Sequence, residues 1–247
     1  MNFSAIRNNT AIGKALRFPL RLLPGRLRMP IWQGKLRGKK WIVGSGNHGC
    51  WLGSYEYEKQ RAFEKMVKSG SVVFDIGAHA GFYTLLAAEL VGPSGKVFAF
   101  KPVPRNLSFL RSHLEINAVC NVKVIEAAVS DVNGVILFED GPNSSTGHVV
   151  FTGGHGVRSV SLDALVESGD LPMPHFIKID VEGAEMLVLS GAKLVLERGG
   201  PTLFLATHGS DVHYQCCEFL RSLGYRLQAI VGESIDATDE VLAQKSK

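Results

Sequence analysis

Three short stretches of the 247-residue chain set chemically capable side chains beside glycines, each at the end of an apolar run. In VVFDIGAHAGFYT, Asp75 closes the apolar run, and Gly77 and Gly81 flank His79. Glycine allows a tight turn and the close approach of a ligand to the backbone. The spacing is Gly-x-x-x-Gly rather than the Gly-x-Gly-x-x-Gly of dinucleotide-binding loops, and His79 reads as a loop-shaping residue. In FIKIDVEGAEMLVLSGA, Asp180 ends the run and Glu182 follows two residues later. Two such carboxylates could orient an acceptor, take a proton or bind a cation. Glu182 and Glu185 also suit a first helical turn, where the helix dipole favours negative charge. Asp180, placed after an apolar strand, demands a partner. In FLATHGSDVHYQ, His208 follows a third apolar run. It is a candidate general base for a hydroxyl, or else a hydrogen-bonding group at a strand end. His213, farther along, reads as structural.

The elements that must carry these residues alternate. From Ser71, SVVFDIG reads as a buried strand, GFYTLLAAELVG as a helix closed by Gly92-Pro93, and KVFAF as a second strand. A helix runs from Pro104 to Asn117, with proline in the first turn where its missing N–H is harmless. VKVIEAAVSD is a third strand. VNGVILFEDG and GHVVFTGGHG then suggest a hairpin insertion turning at Asn133-Gly134. Strand, loop and helix return in HFIKIDVEGAEMLVLSGAKLVLERG, followed by PTLFLATHG, a helix through HYQCCEFLRSLG and the strand YRLQAIVG. Strands this apolar, alternating with helices, predict an α/β fold with a mostly parallel sheet covered on both faces.

Composition narrows the class. Apolar residues make up 45% and charged residues 20%, as in an ordinary globular protein. No apolar run reaches the roughly 18 residues of a membrane span. Four cysteines without metal-finger spacing fit a reduced, cytoplasmic protein. The net charge of +4 is uneven, because no acidic residue occurs between Met1 and Tyr55 while Arg7, Lys14, Arg17, Arg21, Arg26, Arg28, Lys35, Arg37, Lys39 and Lys40 are basic. The division expected is a basic N-terminal extension over 1–40 and one domain over 41–247. The extension reads either as a solvated arm or as a peripheral contact with an anionic membrane surface; nucleic acid is the lesser expectation.

Taken together, WLGSYE, VVFDIGAHAGFYTL, AFKPVPRN, AAVSD, SVSLDAL, KIDVEGAEMLVLSGA, THG and FLRSLGY resemble the FkbM-type methyltransferase family over about Trp41 to Val231. The resemblance implies a Rossmann-like class I methyltransferase fold, S-adenosylmethionine as cofactor, and O-methylation of a hydroxyl on a sugar, glycolipid or secondary metabolite. It places Asp75, Gly77, His79, Gly81 and Thr84 in the cofactor loop and Asp180 near the sulfonium, with Tyr55 and Glu56 closing over the cofactor. Asp180, His208 and Glu182 are the candidate catalytic residues. No obligatory metal is expected, since Asp180 and Glu182 lack a third ligand in the sequence. The acceptor pocket is expected around residues 141–156 and the N-terminal region.

The chain departs from the family pattern at Lys101, where a glutamate is usual, and near Ala206, where an acidic residue is common. Glutamate accepts hydrogen bonds from both ribose hydroxyls, whereas lysine only donates. Loss of such contacts weakens cofactor binding by about 1.5–3 kcal/mol, roughly ten- to a hundredfold. A catalytically inactive binding protein is therefore an alternative reading. An NADP-dependent oxidoreductase is another, because a basic residue there suits a 2′-phosphate. The glycine spacing opposes the latter.

Overall fold

A computed structural model describes residues 18–20, 22–139, 148–150 and 152–245. Arg7, Lys14, Arg17 and Arg21 of the basic stretch, and residues 141–147 and 151 of the expected acceptor loop, lie outside the described residues. Among those described, a hairpin of β1 (Arg28–Pro30) and β2 (Lys40–Ile42) leads to a short helix α1 (Gly49–Leu52) and to α2 (Tyr57–Met66). The α/β part follows as β3 (Val72–Ile76), α3 (Phe82–Val91), β4 (Lys96–Phe100), α4 (Pro104–Ile116) and β5 (Val122–Ile125). An inserted sheet is formed by β6 (Ala128–Val129), β7 (Gly134–Glu139), β8 (His148–Val149) and β9 (His155–Val160). The chain returns through α5 (Leu162–Glu167), β10 (Phe176–Ile179), α6 (Glu185–Ser190), α7 (Lys193–Gly199), β11 (Thr202–Ala206), α8 (Ser210–Ser222), β12 (Tyr225–Ala229) and β13 (Glu240–Lys245).

The main sheet has the order β12-β13-β11-β10-β3-β4-β5. Strands β11, β10, β3, β4 and β5 pair in parallel, and β13 is antiparallel to both neighbours. Successive side chains of a strand face opposite sides, and the core divides accordingly. Val73, Val97, Ala99 and Phe204 pack with α2, α3 and α4; Phe74, Ile76, Phe98 and Phe100 pack with α5 to α8. This is the α/β architecture read from the alternating apolar runs, with helices on both faces. Strand order reverses beside β3, and the crevice beyond the carboxyl ends of β3 and β10 is where such sheets hold ligands.

Three local details differ from the sequence reading. The single strand expected over VKVIEAAVSD divides at Glu126, β5 joining the main sheet and β6 pairing with β9. Asn133 precedes β7 instead of turning a hairpin; its side-chain oxygen accepts the Ser161 N–H at 2.7 Å. Strand β13 was not foreseen. Only Val241 and Ala243 point its apolar face inward, too short an alternation to announce a strand in isolation.

The basic stretch is partly built into the fold. Ile31 and Leu36 are buried in the same core as Trp41, and β1–β2 crosses residue 40.

Candidate active site

Where β3 ends, the chain turns sharply at Gly77, whose φ is +79°. The N–H groups of Gly77 and Ala78 donate to the Phe100 carbonyl at 3.1 and 3.0 Å, tying the loop to the end of β4. A Cβ on Gly77 would fall 1.8 Å from the carbonyl oxygen of Asp180, so the loop rests directly on the end of β10. Gly81 begins α3 with φ +95°, and a Cβ there would strike Leu110. His79 also has a positive φ, +49°. Burial, followed by the charges of Lys101 and Lys178, pushes its pKa down to about 4, so its ring is neutral at physiological pH. That suits a loop-shaping residue.

These turns border a cleft of about 380 Å³ at the carboxyl ends of β3, β4 and β10. Of the residues expected to meet a cofactor, Gly77, His79, Lys101 and Asp180 line it, as do Tyr55 and Glu182. Asp75 and Thr84 do not line it. Both are buried behind it, where the Thr84 hydroxyl donates to Asp75 Oδ2 at 2.6 Å. Glu56 stands at the start of α2 with φ +44°, its carboxylate 3.1 Å from Lys59 Nζ. Gly81 acts through the start of α3.

Behind the cleft lies an ion cluster that sequence reasoning missed. Lys178 is buried in β10 beside Asp75, its partner in the parallel register with β3. Its Nζ lies 3.4 Å from Asp75 Oδ1 and 3.5 Å from Asp180 Oδ2, and donates to the Gly77 carbonyl at 3.2 Å. Lys59, buried in α2, reaches Glu240 at 2.8 Å, Glu56 at 3.1 Å and Asp180 Oδ2 at 3.8 Å. Burial lowers both ammonium pKa values, but the surrounding carboxylates outweigh it and hold both above the ordinary lysine value. For Lys178 a signal existed in the sequence: a lysine inside the apolar run FIKI needs a buried counter-charge. For Lys59 and Glu240, 181 residues apart, none did. Glu240 stands opposite Ala206 in the β11–β13 register, placing a carboxylate beside a position where the family pattern led to expect one.

On its outer side Asp180 meets the remaining candidates. His208 Nδ1 lies 2.7 Å from Oε1 of the wholly buried Glu185, which also accepts the Gly183 N–H. His208 Nε2 faces Glu182 Oε2 at 3.5 Å and Asp180 Oδ1 at 3.8 Å. The Glu185 hydrogen bond, with Glu182 and Asp180 nearby, raises the His208 pKa to about 9 against the opposing effect of burial. Burial pushes the Asp180 carboxyl up, yet Lys178, Lys59 and His208 overcome it and hold it well below the usual carboxylate range. Burial raises Glu182. The three catalytic candidates therefore converge at one edge of the cleft. Glu185, read from the sequence as a helix-dipole charge, turns out to position the imidazole. His213 bonds Thr207 at 2.8 Å, a structural role.

Comparison with known proteins bears on this arrangement. The family model of the methyltransferase FkbM domain matches residues 75–227. The hexuronic acid methyltransferase AglP of Haloferax volcanii is 31% identical over 144 residues, 58% of each chain. The 2-O-methyltransferase NoeI of Sinorhizobium fredii is 28% identical over 166 residues, 58% of this chain and 65% of that one. The chain thus spans less than two thirds of the length of either relative. A methyltransferase FkbM structure from Methylobacillus flagellatus superposes with a TM-score of 0.51 at 16% identity, covering 81% of this chain and 55% of the other. A precorrin-6y C5,15-methyltransferase from Geobacter metallireducens gives 0.51 at 18% identity, covering 77% and 89%. These two likenesses concern the fold alone, that of a class I methyltransferase. With its glycine corner, the three carboxylates of KIDVEGAE and the strands that carry them inside the matched span, the chain belongs to the FkbM methyltransferase domain family.

Proposed function

We propose that this chain is an S-adenosylmethionine-dependent methyltransferase that methylates a hydroxyl of a carbohydrate or related small molecule. Family membership supports the reaction, and the names of the two relatives, a hexuronic acid methyltransferase and a 2-O-methyltransferase, support the acceptor class. The observation that carries the reading is the ionised Asp180 carboxylate, held by two buried lysines between the glycine corner and the Glu182–His208 edge.

The residues fit the cofactor at one end of the cleft better than at the other. Asp180 supplies fixed negative charge suited to a sulfonium, and Gly77 lets the backbone approach. Lys101, where a ribose would lie, offers only donors. Bound S-adenosylmethionine supplies a methyl group already activated on sulfur; the acceptor oxygen's lone pair forms the C–O bond as the C–S pair returns to sulfur. What the chain adds is alignment and a destination for the hydroxyl proton. Asp180 is held ionised by its lysines and His208 is paired with Glu185, so Glu182, which lines the cleft, is the candidate to receive the proton.

Calorimetry with S-adenosylmethionine, S-adenosylhomocysteine and NADP, together with transfer of labelled methyl to uronic acid and other sugar acceptors, tests the reading. Binding of both S-adenosyl compounds with label transfer is the expected result. Binding without transfer to any acceptor would favour the inactive-fold alternative. NADP binding in their place would favour the oxidoreductase.

We also propose that the basic start meets an anionic membrane surface. Leu20, Leu23 and Met29 pack on the core, whereas Phe18 is 63% and Leu22 71% exposed in the same stretch of chain as exposed Arg26 and Arg28. Outward apolar side chains among cations are what an anionic interface binds. No described helix is long and apolar enough to cross a membrane.

A further inference from the structure

We propose that Asp180, Glu182 and His208 form a site for one divalent cation that holds the acceptor hydroxyl at the mouth of the cleft; the inference rests on the methyl-transfer reading and deepens it. The sequence showed two carboxylates and no third ligand. Folding brings His208, from beyond β11, to the end of β10, and the three donor atoms lie within 4.8 Å of one another.

Two of the three donor spacings suit a single ion, and the third, between Asp180 and Glu182, lies within 4.8 Å. A cation about 2.0–2.2 Å from each donor requires donor–donor separations of roughly 3.0–4.4 Å. His208 Nε2 lies 3.5 Å from Glu182 Oε2 and 3.8 Å from Asp180 Oδ1, both within that range. Asp180 divides its oxygens, Oδ2 facing Lys59 and Lys178 and Oδ1 facing the histidine. The lysines therefore fix the carboxylate without occupying the oxygen a cation would use.

Support behind the donors has the form found around metal-binding histidines. A buried carboxylate commonly takes the proton of one ring nitrogen and so directs the other nitrogen at the ion. Glu185, fully buried, receives His208 Nδ1–H at 2.7 Å and leaves Nε2 turned toward Asp180 and Glu182, where a bound cation would displace the Nε2 proton to solvent. The second oxygen of Glu185 is buried and has no hydrogen-bond partner among the described residues. Three carboxylates thus surround one imidazole, and a divalent ion would balance charge that burial makes expensive. Glu182 and His208 are each about one third exposed, which leaves the far side of such an ion open to an acceptor.

Two oxygen donors and one nitrogen suit a hard or borderline first-row cation, and Mn2+ is the appropriate probe. An acceptor oxygen held there loses its proton more readily, and the proton passes to solvent water at the open side. The oxygen's lone pair then forms the bond to the methyl carbon as the C–S bond breaks toward sulfur. Glu182 is then a ligand rather than the base.

The test is a Mn2+ titration of the chelator-treated full chain, followed by the paramagnetic resonance signal of free Mn2+. One ion per chain is expected, with affinity reduced about tenfold or more in Glu182→Gln and in His208→Gln. Absence of binding at millimolar Mn2+, or binding in both variants as tight as in the unsubstituted chain, would overturn the site. Because Glu182 is partly exposed, its variant remains informative even if His208→Gln unfolds. Calorimetry with S-adenosylhomocysteine on the metal-free chain separates the two proposals. Cofactor binding without Mn2+ binding removes the ion and leaves the methyltransferase reading. Mn2+ binding without cofactor binding supports the ion and removes the methyltransferase reading. Label transfer that survives chelation at full rate would also overturn the catalytic role of the ion.

Discussion

Lys101 follows the end of β4, buried in the cleft wall, and its chemistry was readable before any fold was known because a lysine cannot accept a hydrogen bond. Replacing it by glutamate should restore an acceptor for ribose hydroxyls. Lys101→Glu is expected to tighten S-adenosylhomocysteine binding by roughly tenfold or more, read by calorimetry, and unchanged affinity would remove Lys101 from the ribose corner. His113 offers a second test at this scale. It is buried on α4 and stacked on Trp41; the Ile42 N–H donates to its Nε2 at 3.0 Å, and its Nδ1–H donates to the Ala80 carbonyl at 2.7 Å. Burial pushes its pKa down to about 4, so the native ring stays neutral while the unfolded ring takes a proton near pH 6.5. Stability is therefore full above pH 6.5 and declines as pH falls toward 4, by about 3 kcal/mol from this group. Denaturant melts of His113→Phe should show a correspondingly shallower loss over that interval. An unchanged pH slope would count against it.

Two glycines distinguish close packing from backbone freedom at the scale of the elements. Gly77 and Gly183 both have positive φ, yet a Cβ on Gly77 meets the Asp180 carbonyl while one on Gly183 meets nothing within 4 Å. Gly183→Ala should destabilise by about 1–2 kcal/mol, the conformational strain alone. Gly77→Ala must also push β3 and β10 apart, and a loss of at least about 3 kcal/mol is expected. Equal midpoints in chemical denaturation would refute the contact between glycine corner and strand end. The glycines were legible as turns in the sequence, but which of them touches another strand was not. That information lies in the pairing of β3 with β10, about a hundred residues apart.

At the scale of the whole molecule, the basic start is both scaffold and surface. Removing residues 1–40 deletes β1 and the buried Ile31 and Leu36, and should lower the thermal midpoint by several degrees. A midpoint equal to that of the full chain would support the division at residue 40. Substituting serine for Phe18, Leu22 and Leu27 removes exposed side chains and should leave the midpoint unchanged. It should abolish co-sedimentation with anionic vesicles, and retained co-sedimentation would refute the membrane contact.

The sequence by itself determined the α/β class, the strand-end positions of Asp180 and His208, and the odd lysine at 101, because apolar periodicity and side-chain chemistry are local properties. Only the tertiary structure decided the partners. Asp75 faces Lys178 because of the β3–β10 register, Glu240 reaches Lys59 because β13 inserts beside β11, and Glu185 grips His208 because α6 packs against α8. Such pairings join residues distant in the chain, and a buried charge is bearable only once its counter-charge has been brought to it.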